Sequence, residues 1–291
     1  MRFTFCQFTN AVLLAALAFA VCTRIYFIQH YEINWDEFFY LSHVHAFVRD
    51  DMQSLLQLGH VYFFTWLAAL PGYEVSQIIT ARAVILVLQV LTGGAIYLAA
   101  RHFFPRTASL FAVLAYFALS YISWQGTSFR ADPVAAFLLM TSIAIVLRRP
   151  DNPVKAVLAG ILIGLGGFIT IKAIFLAVVA GGIVIIRWID SRFSRDQLIY
   201  GAILTATALI SFLGFVLLHS TLLENSAPAN TDNSTLAGKI ATFITMSAIV
   251  QNYIYLGVSL QMDPVFWFLI AAVPALILGH CYQPAGLSRR R

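Results

Sequence analysis

Apolar residues in this chain come in blocks rather than alternating one by one. The blocks lie at about 8–28, 78–100, 107–124, 133–147, 154–169, 173–187, 198–219 and 264–281. A run of about 20 apolar residues, wound as a helix, crosses a hydrocarbon layer of roughly 30 Å. In that layer the backbone has to satisfy its own N–H and C=O groups, so each block predicts a helix. Val61 to Leu70 is too short to span and predicts an interfacial or re-entrant piece. Residues 240–260 are apolar enough to span, but Thr, Ser, Gln and Asn are scattered through them. The pattern predicts an all-α, polytopic transmembrane bundle of about eight spans. It forms a single domain over 1–291, with a first extracytoplasmic loop at 29–77 and a second large one at 220–263. Ala18-Phe19-Ala20 resembles a signal-peptidase site, but the run stays apolar beyond it, so a retained first helix is expected.

The basic residues orient the spans. With the N-terminus inside, the inner segments hold Arg2, Arg101, Arg106, Arg148, Arg149, Lys155, Arg187, Arg192, Arg195 and the terminal Arg289-Arg290-Arg291. The outer segments hold fewer cations, among them Arg82, Arg130 and Lys172, and most of the acids. That bias fits the preference for Lys and Arg in cytoplasmic loops. It is met by eight spans, with 240–260 lying on the surface.

Composition agrees. Charged residues make up 11% of the chain, against about 25% in an ordinary soluble domain. The net charge of +5 comes from short clusters between apolar blocks, which argues against nucleic acid as a partner and for membrane lipids. Three cysteines, Cys6, Cys22 and Cys281, are too far apart for a metal motif or an obvious disulfide framework.

The chemistry gathers on the outer side. Just beyond the first block the chain reads INWDEFF, with Asp36 and Glu37 side by side. In a helix starting near Trp35, one face carries Asp36, Tyr40, His43, Phe47 and Asp50, and the neighbouring face Glu37, Leu41, Val44 and Val48. Such a helix is amphipathic and would lie along the outer membrane surface. The plain reading of the two acids is dipole-favoured charge at a helix start. Arg82 sits about one turn inside a helix, where snorkelling is its plain reading. Asp132 before Pro133 reads as an N-cap. Arg130 has no such role at a helix start, where the dipole disfavours a cation, and is a candidate for holding an anion.

The blocks 154–169 and 173–187 are short, so their junction at Lys172 is expected below the outer surface, bordering a cavity. Gly160, Gly164, Gly166 and Gly167 read as close helix packing. His60 is a candidate for metal or substrate, while His30, His102, His219 and His280 read as interface residues. Carboxylates from one loop and cations from three helix ends suit an anionic lipid substrate, the acids supplying a base and the cations holding a phosphate.

The order of these features resembles a family. NWDEFFYL follows the first helix, and GHVYFFTWL follows it in turn. Next comes ARAVILVLQVLTGGAIYLAARHFFPRTASLFAVLAYFALS, then SFRADP and GLGGFITIKAIFL. Over about residues 8–190 this is similar to the GT-C superfamily of polytopic glycosyltransferases. The resemblance is strongest to the protein O-mannosyltransferase-like and lipopolysaccharide or lipid A glycosyltransferase branch. It departs where the family usually has His-Pro-Pro and this chain has Gly-His-Val, and in lacking the further outer domain of many members.

The resemblance implies an inverting transfer of a sugar from a polyprenyl-phosphate donor. The acceptor would be a lipid, glycan or protein hydroxyl at the extracytoplasmic, periplasmic face of a bacterial inner membrane. Asp36 would be the general base, with Glu37 supporting it. Arg82, Arg130 and Lys172 would contact phosphate, and Tyr40 and His60 would contact substrate. A divalent metal ion would have Glu37 and His60 as candidate ligands. The rival readings are a non-catalytic scaffold or partner subunit and a secondary transporter.

Overall fold

The computed structural model describes residues 5–52, 59–119, 122, 125–148, 152–170 and 173–224. The 240–260 segment expected on the surface, the span expected at 264–281, the polar loop beyond Glu224, Lys172 and His280 lie outside the described residues. Among the described residues the chain is all-helical. The helices are α1 (Phe5–His30), α2 (Trp35–Val48), α3 (Val61–Phe64), α4 (Glu74–Phe103), α5 (Arg106–Ala118), α6 (Ala131–Arg148), α7 (Pro153–Ile169), α8 (Ile174–Asp190) and α9 (Arg195–Glu224).

Every apolar block that falls within these residues is a helix. Four are long and apolar enough to cross a membrane: Gln7–His30, Glu74–Phe103, Ala131–Arg148 and Arg195–Leu222. The others are shorter, with 13 residues in α5 and 17 each in α7 and α8. At about 1.5 Å per residue, 17 residues reach roughly 25 Å, less than the hydrocarbon thickness. The Val61–Leu70 stretch is not a span. It is the single turn α3 followed by a 3-10 turn at Thr65–Ala69, with Val61, Phe64 and Leu67 buried.

The helices pack in a row. α1 lies on α5 and α4, α4 on α6, α6 on α7, and α7 on α9, with α8 against α6 and α9. Small residues set the closest approach. A Cβ on Gly160 would stand 2.7 Å from the Leu204 carbonyl oxygen, and one on Gly164 would stand 2.5 Å from that of Ala208. The α7 glycines therefore let the α9 backbone come close, as their spacing suggested, while Gly166 accommodates Leu139 of α6.

Arginines tie helix ends together. Arg24 of α1 donates to the Phe117 carbonyl at the end of α5 and lies over the Phe117 ring. Arg187 of α8 donates to the Val146 and Leu147 carbonyls at the end of α6. In both cases the guanidinium satisfies carbonyls that a helix C-terminus leaves without a partner.

α2 crosses one end of this row. Its inward face is Glu37, Leu41 and Val44, all buried. Leu41 and Val44 join Val61, Phe64 and Leu67, Ile78, Ala81 and Ile85 of α4, and Phe129 and Val134 in one apolar cluster. That cluster forms the floor under the acidic pair. Two expectations are corrected here. α6 opens at Ala131, so Asp132 lies inside its first turn rather than capping it. His219, read as an interface residue, is buried in contact with Tyr62 and Phe168. Its place in α9, which returns to the α3 end of the row, explains the difference.

Candidate functional site

The start of α2 is built by a reciprocal cap. Asn34 Oδ1 accepts from the Glu37 backbone N–H at 3.3 Å, and Glu37 Oε2 accepts from the Asn34 backbone N–H at 3.2 Å. This is a capping box in the N-x-x-E spacing of Asn34 and Glu37, a signal present in the sequence that a reading of the acids as simple dipole partners passes over.

The cap turns Glu37 inward and leaves Asp36 outward. Glu37 is 0% exposed and meets Arg82, itself 2% exposed. Arg82 Nε donates to Oε1 at 2.8 Å and Nη2 to Oε2 at 2.5 Å. Oε1 also accepts from the Phe129 backbone N–H at 2.7 Å. The carboxylate thus accepts four hydrogen bonds, as many as its two oxygens have lone pairs.

The guanidinium is equally committed. Arg82 Nη1 donates to the carbonyls of Ile28 at 3.2 Å and Tyr31 at 3.0 Å, and Nη2 also donates to that of Glu32 at 2.9 Å. All five of its N–H donors have acceptors, so a phosphate contact from Arg82 requires one of these bonds to open. Arg82 does not snorkel. It is held inside, where it joins the end of α1, the α1–α2 link, α2 and, through Glu37, the start of α6.

Asp36 has the opposite environment. Its side chain is 46% exposed, and Oδ2 accepts from Arg130 Nη2 at 2.8 Å. Arg130 Nη1 donates to Gln125 Oε1 at 3.3 Å. The same oxygen accepts from Asn34 Nδ2 and Ser128 Oγ, each at 3.4 Å. Gln125 therefore relates the α2 cap to Arg130. It was not singled out from the sequence, because only the folded 125–130 segment brings it to Asn34.

Tyr40, one turn beyond Asp36, completes the group. Burial pushes its hydroxyl pKa up. The Asp132 charge pushes the same way, the Arg130 guanidinium that bonds the hydroxyl opposes it, and the Asp36 charge adds to the rise. The half-exposed surface thus collects Asp36, Tyr40, Arg130 and Asp132 from α2 and from the start of α6.

His60 lies beneath this surface. It is 0% exposed, with Nε2 3.2 Å from the Tyr40 carbonyl and its ring edge-on to Tyr40 at 4.9 Å. Its ring also lies edge-on to those of Phe129 and His43. Among the described residues no three His, Cys, Asp or Glu side chains gather to hold a metal ion. Glu37, with every acceptor position used, does not fit as a ligand unless the Arg82 pair is broken.

No family profile matches this chain, and no curated protein or solved structure matches it.

Proposed function

We propose that the chain is a membrane glycosyltransferase that moves a sugar from a polyprenyl-phosphate donor to a hydroxyl of a lipid, glycan or protein. The reading carries with it about eight spans and a site facing the periplasm from a bacterial inner membrane. One observation supports it most: of two adjacent acids, Glu37 is buried and saturated, while Asp36 is half-exposed and 2.8 Å from a guanidinium. A general base has to reach its substrate, and it works best on a rigid support. The capping box and the Glu37–Arg82 pair provide that support.

In the proposed reaction Asp36 takes the proton of the acceptor hydroxyl as its oxygen attacks the anomeric carbon. The bond from that carbon to the phosphate oxygen breaks on the opposite side. The polyprenyl phosphate leaves with the bonding electron pair, and the anomeric configuration inverts. Arg130 stabilises the charge that grows on the departing phosphate. Lys172, from the α7–α8 junction, is proposed as a second phosphate contact. Tyr40 and Arg130 border the place where the sugar would lie. Glu37 and Arg82 act as positioning residues through the geometry of α2.

The test compares glycolipids and glycoproteins of a deletion strain carrying either the wild-type gene or Asp36→Asn. The expected result is one sugar modification that the wild-type gene restores and the variant does not, at equal membrane abundance. Restoration by Asp36→Asn removes Asp36 from the reaction. An unchanged envelope glycan profile on deletion removes the glycosyltransferase reading.

A further inference from the structure

At the end of the bundle away from Asp36, the turn between α8 and α9 has an unusual backbone. Arg192 and Phe193 both lie in the left-handed region, with φ of 54° and 65°. Bulky residues enter that region at a cost that Gly or Asn would avoid. Such strain persists where the side chains have a use. Here the turn is closed by Arg192 N–H donating to the Ile189 carbonyl at 2.9 Å and Phe193 N–H to that of Trp188 at 2.8 Å. This geometry sends the Phe193 ring outward, 63% exposed, with its inner edge on Trp188 at a centroid distance of 4.9 Å.

The location of the turn is fixed by Arg187. Its bonds to the Val146 and Leu147 carbonyls place the end of α8 beside the end of α6. α6 starts next to Arg130 and runs 18 residues, or roughly 27 Å, away from it. The exposed Arg192 and Arg195 therefore share this end with the exposed Arg148. Lys155, in the first turn of α7, returns from the same end. Among the described residues two acids, Asp190 and Asp196, belong to this surface, and Asp196 stands in the first turn of α9, where the helix dipole favours it. The cations outnumber them.

We infer that the α8–α9 turn is a binding surface for anionic phospholipid headgroups, with Arg192 and Arg195 meeting the phosphate and the Trp188–Phe193 pair seated at headgroup depth. The charge is complementary to an anionic leaflet, and the outward Phe193 ring adds apolar surface beside it, backed by Trp188, whose indole N–H is buried. The strained turn holds the Phe193 ring and the Arg192 guanidinium on adjacent positions, which a relaxed Gly turn would not fix. This surface is independent of the glycosyltransferase reading, because none of its residues belongs to the Asp36 site.

The test places the purified full chain in nanodiscs of phosphatidylcholine with increasing phosphatidylglycerol and counts the lipids retained by native mass spectrometry. Preferential retention of phosphatidylglycerol is expected for the wild type. The double variant Arg192→Gln with Arg195→Gln is expected to lose roughly thirtyfold of that preference, in line with the worth of two basic groups at an anionic surface. Phe193→Gly relieves the backbone and is expected to lower retention without lowering thermal stability. The control is Arg101→Gln with Arg106→Gln, which removes as much charge at the α4–α5 turn of the same end. An unchanged preference in that control supports a local site. Equal losses in both double variants overturn it in favour of net charge, and equal retention of the two lipids by the wild type overturns it outright.

Discussion

Two ion pairs leave neighbouring residues of α2, and they differ in almost every respect. Glu37–Arg82 is closed. Both partners are buried, every donor and acceptor position is used, and four separate pieces of chain meet at it. Asp36–Arg130 is open to solvent on one side and shares its arginine with Gln125. A pair with no spare valence cannot take a ligand, but it can fix a backbone. A pair with a free oxygen and an exposed edge can exchange partners. The sequence neighbours thus divide the work of holding the site and of offering it.

That contrast has measurable consequences. Breaking a buried pair by neutralising one partner leaves a charge uncompensated, typically at about 3–5 kcal/mol. Arg82→Gln and Glu37→Gln are therefore expected to lower the unfolding free energy by that order, read as a large fall in the thermal midpoint in detergent. If either behaves like Arg130→Gln, the two pairs are not different in kind. Asn34→Ala removes half of the capping box and is expected to cost about 0.5–2 kcal/mol, the usual range for such a cap. Its loss is expected to be smaller in a Glu37→Gln background, because the two groups act together, and a double-mutant cycle measures the coupling. Arg130→Gln is expected to cost less than Arg82→Gln or Glu37→Gln, about 1 kcal/mol, because half-exposed Asp36 can turn to water when its mostly buried partner is removed. A larger loss would move Arg130 into the scaffold.

The smallest effect concerns pH. Burial holds the His43 imidazole of α2 below its usual value of 6.5, partly offset by its bond to the Phe39 carbonyl. The folded chain then binds fewer protons than the unfolded chain in the window between the two pKa values. Stability is expected to be fully present above pH about 6.5 and to fall as the pH drops through the unfolded value toward the folded one. His43→Leu is expected to flatten that part of the profile in thermal melts from pH 7.5 to 5.

Much of the fold was legible because lipid simplifies the problem. A block of apolar residues in a membrane has few alternatives to a helix, so α1 and α4 to α9 follow from the blocks alone. The spacing of Gly160 and Gly164 foretold a close helix contact for a similar reason, since only a missing side chain allows it, but the partner, α9, came only with the fold. The helical wheel also separated Glu37, Leu41 and Val44 from Asp36, Tyr40 and His43. It could not say which side faced inward. Asp132 lies two positions further into its helix than expected, because Pro133 tolerates more than one position near a helix start. His219 was misread because burial depends on which helix lies opposite, and a lone His carries no mark of that.

Local sequence therefore determined the helical blocks, the cap at Asn34 and the two faces of α2. It did so because hydrogen bonding within a few residues and the period of the helix decide those features. Only the tertiary structure decided that Glu37 would be sealed and Asp36 left accessible. That choice is made by Arg82 and Phe129, which lie 45 and 92 residues away in the chain and reach Glu37 only when α4 and the start of α6 pack under α2.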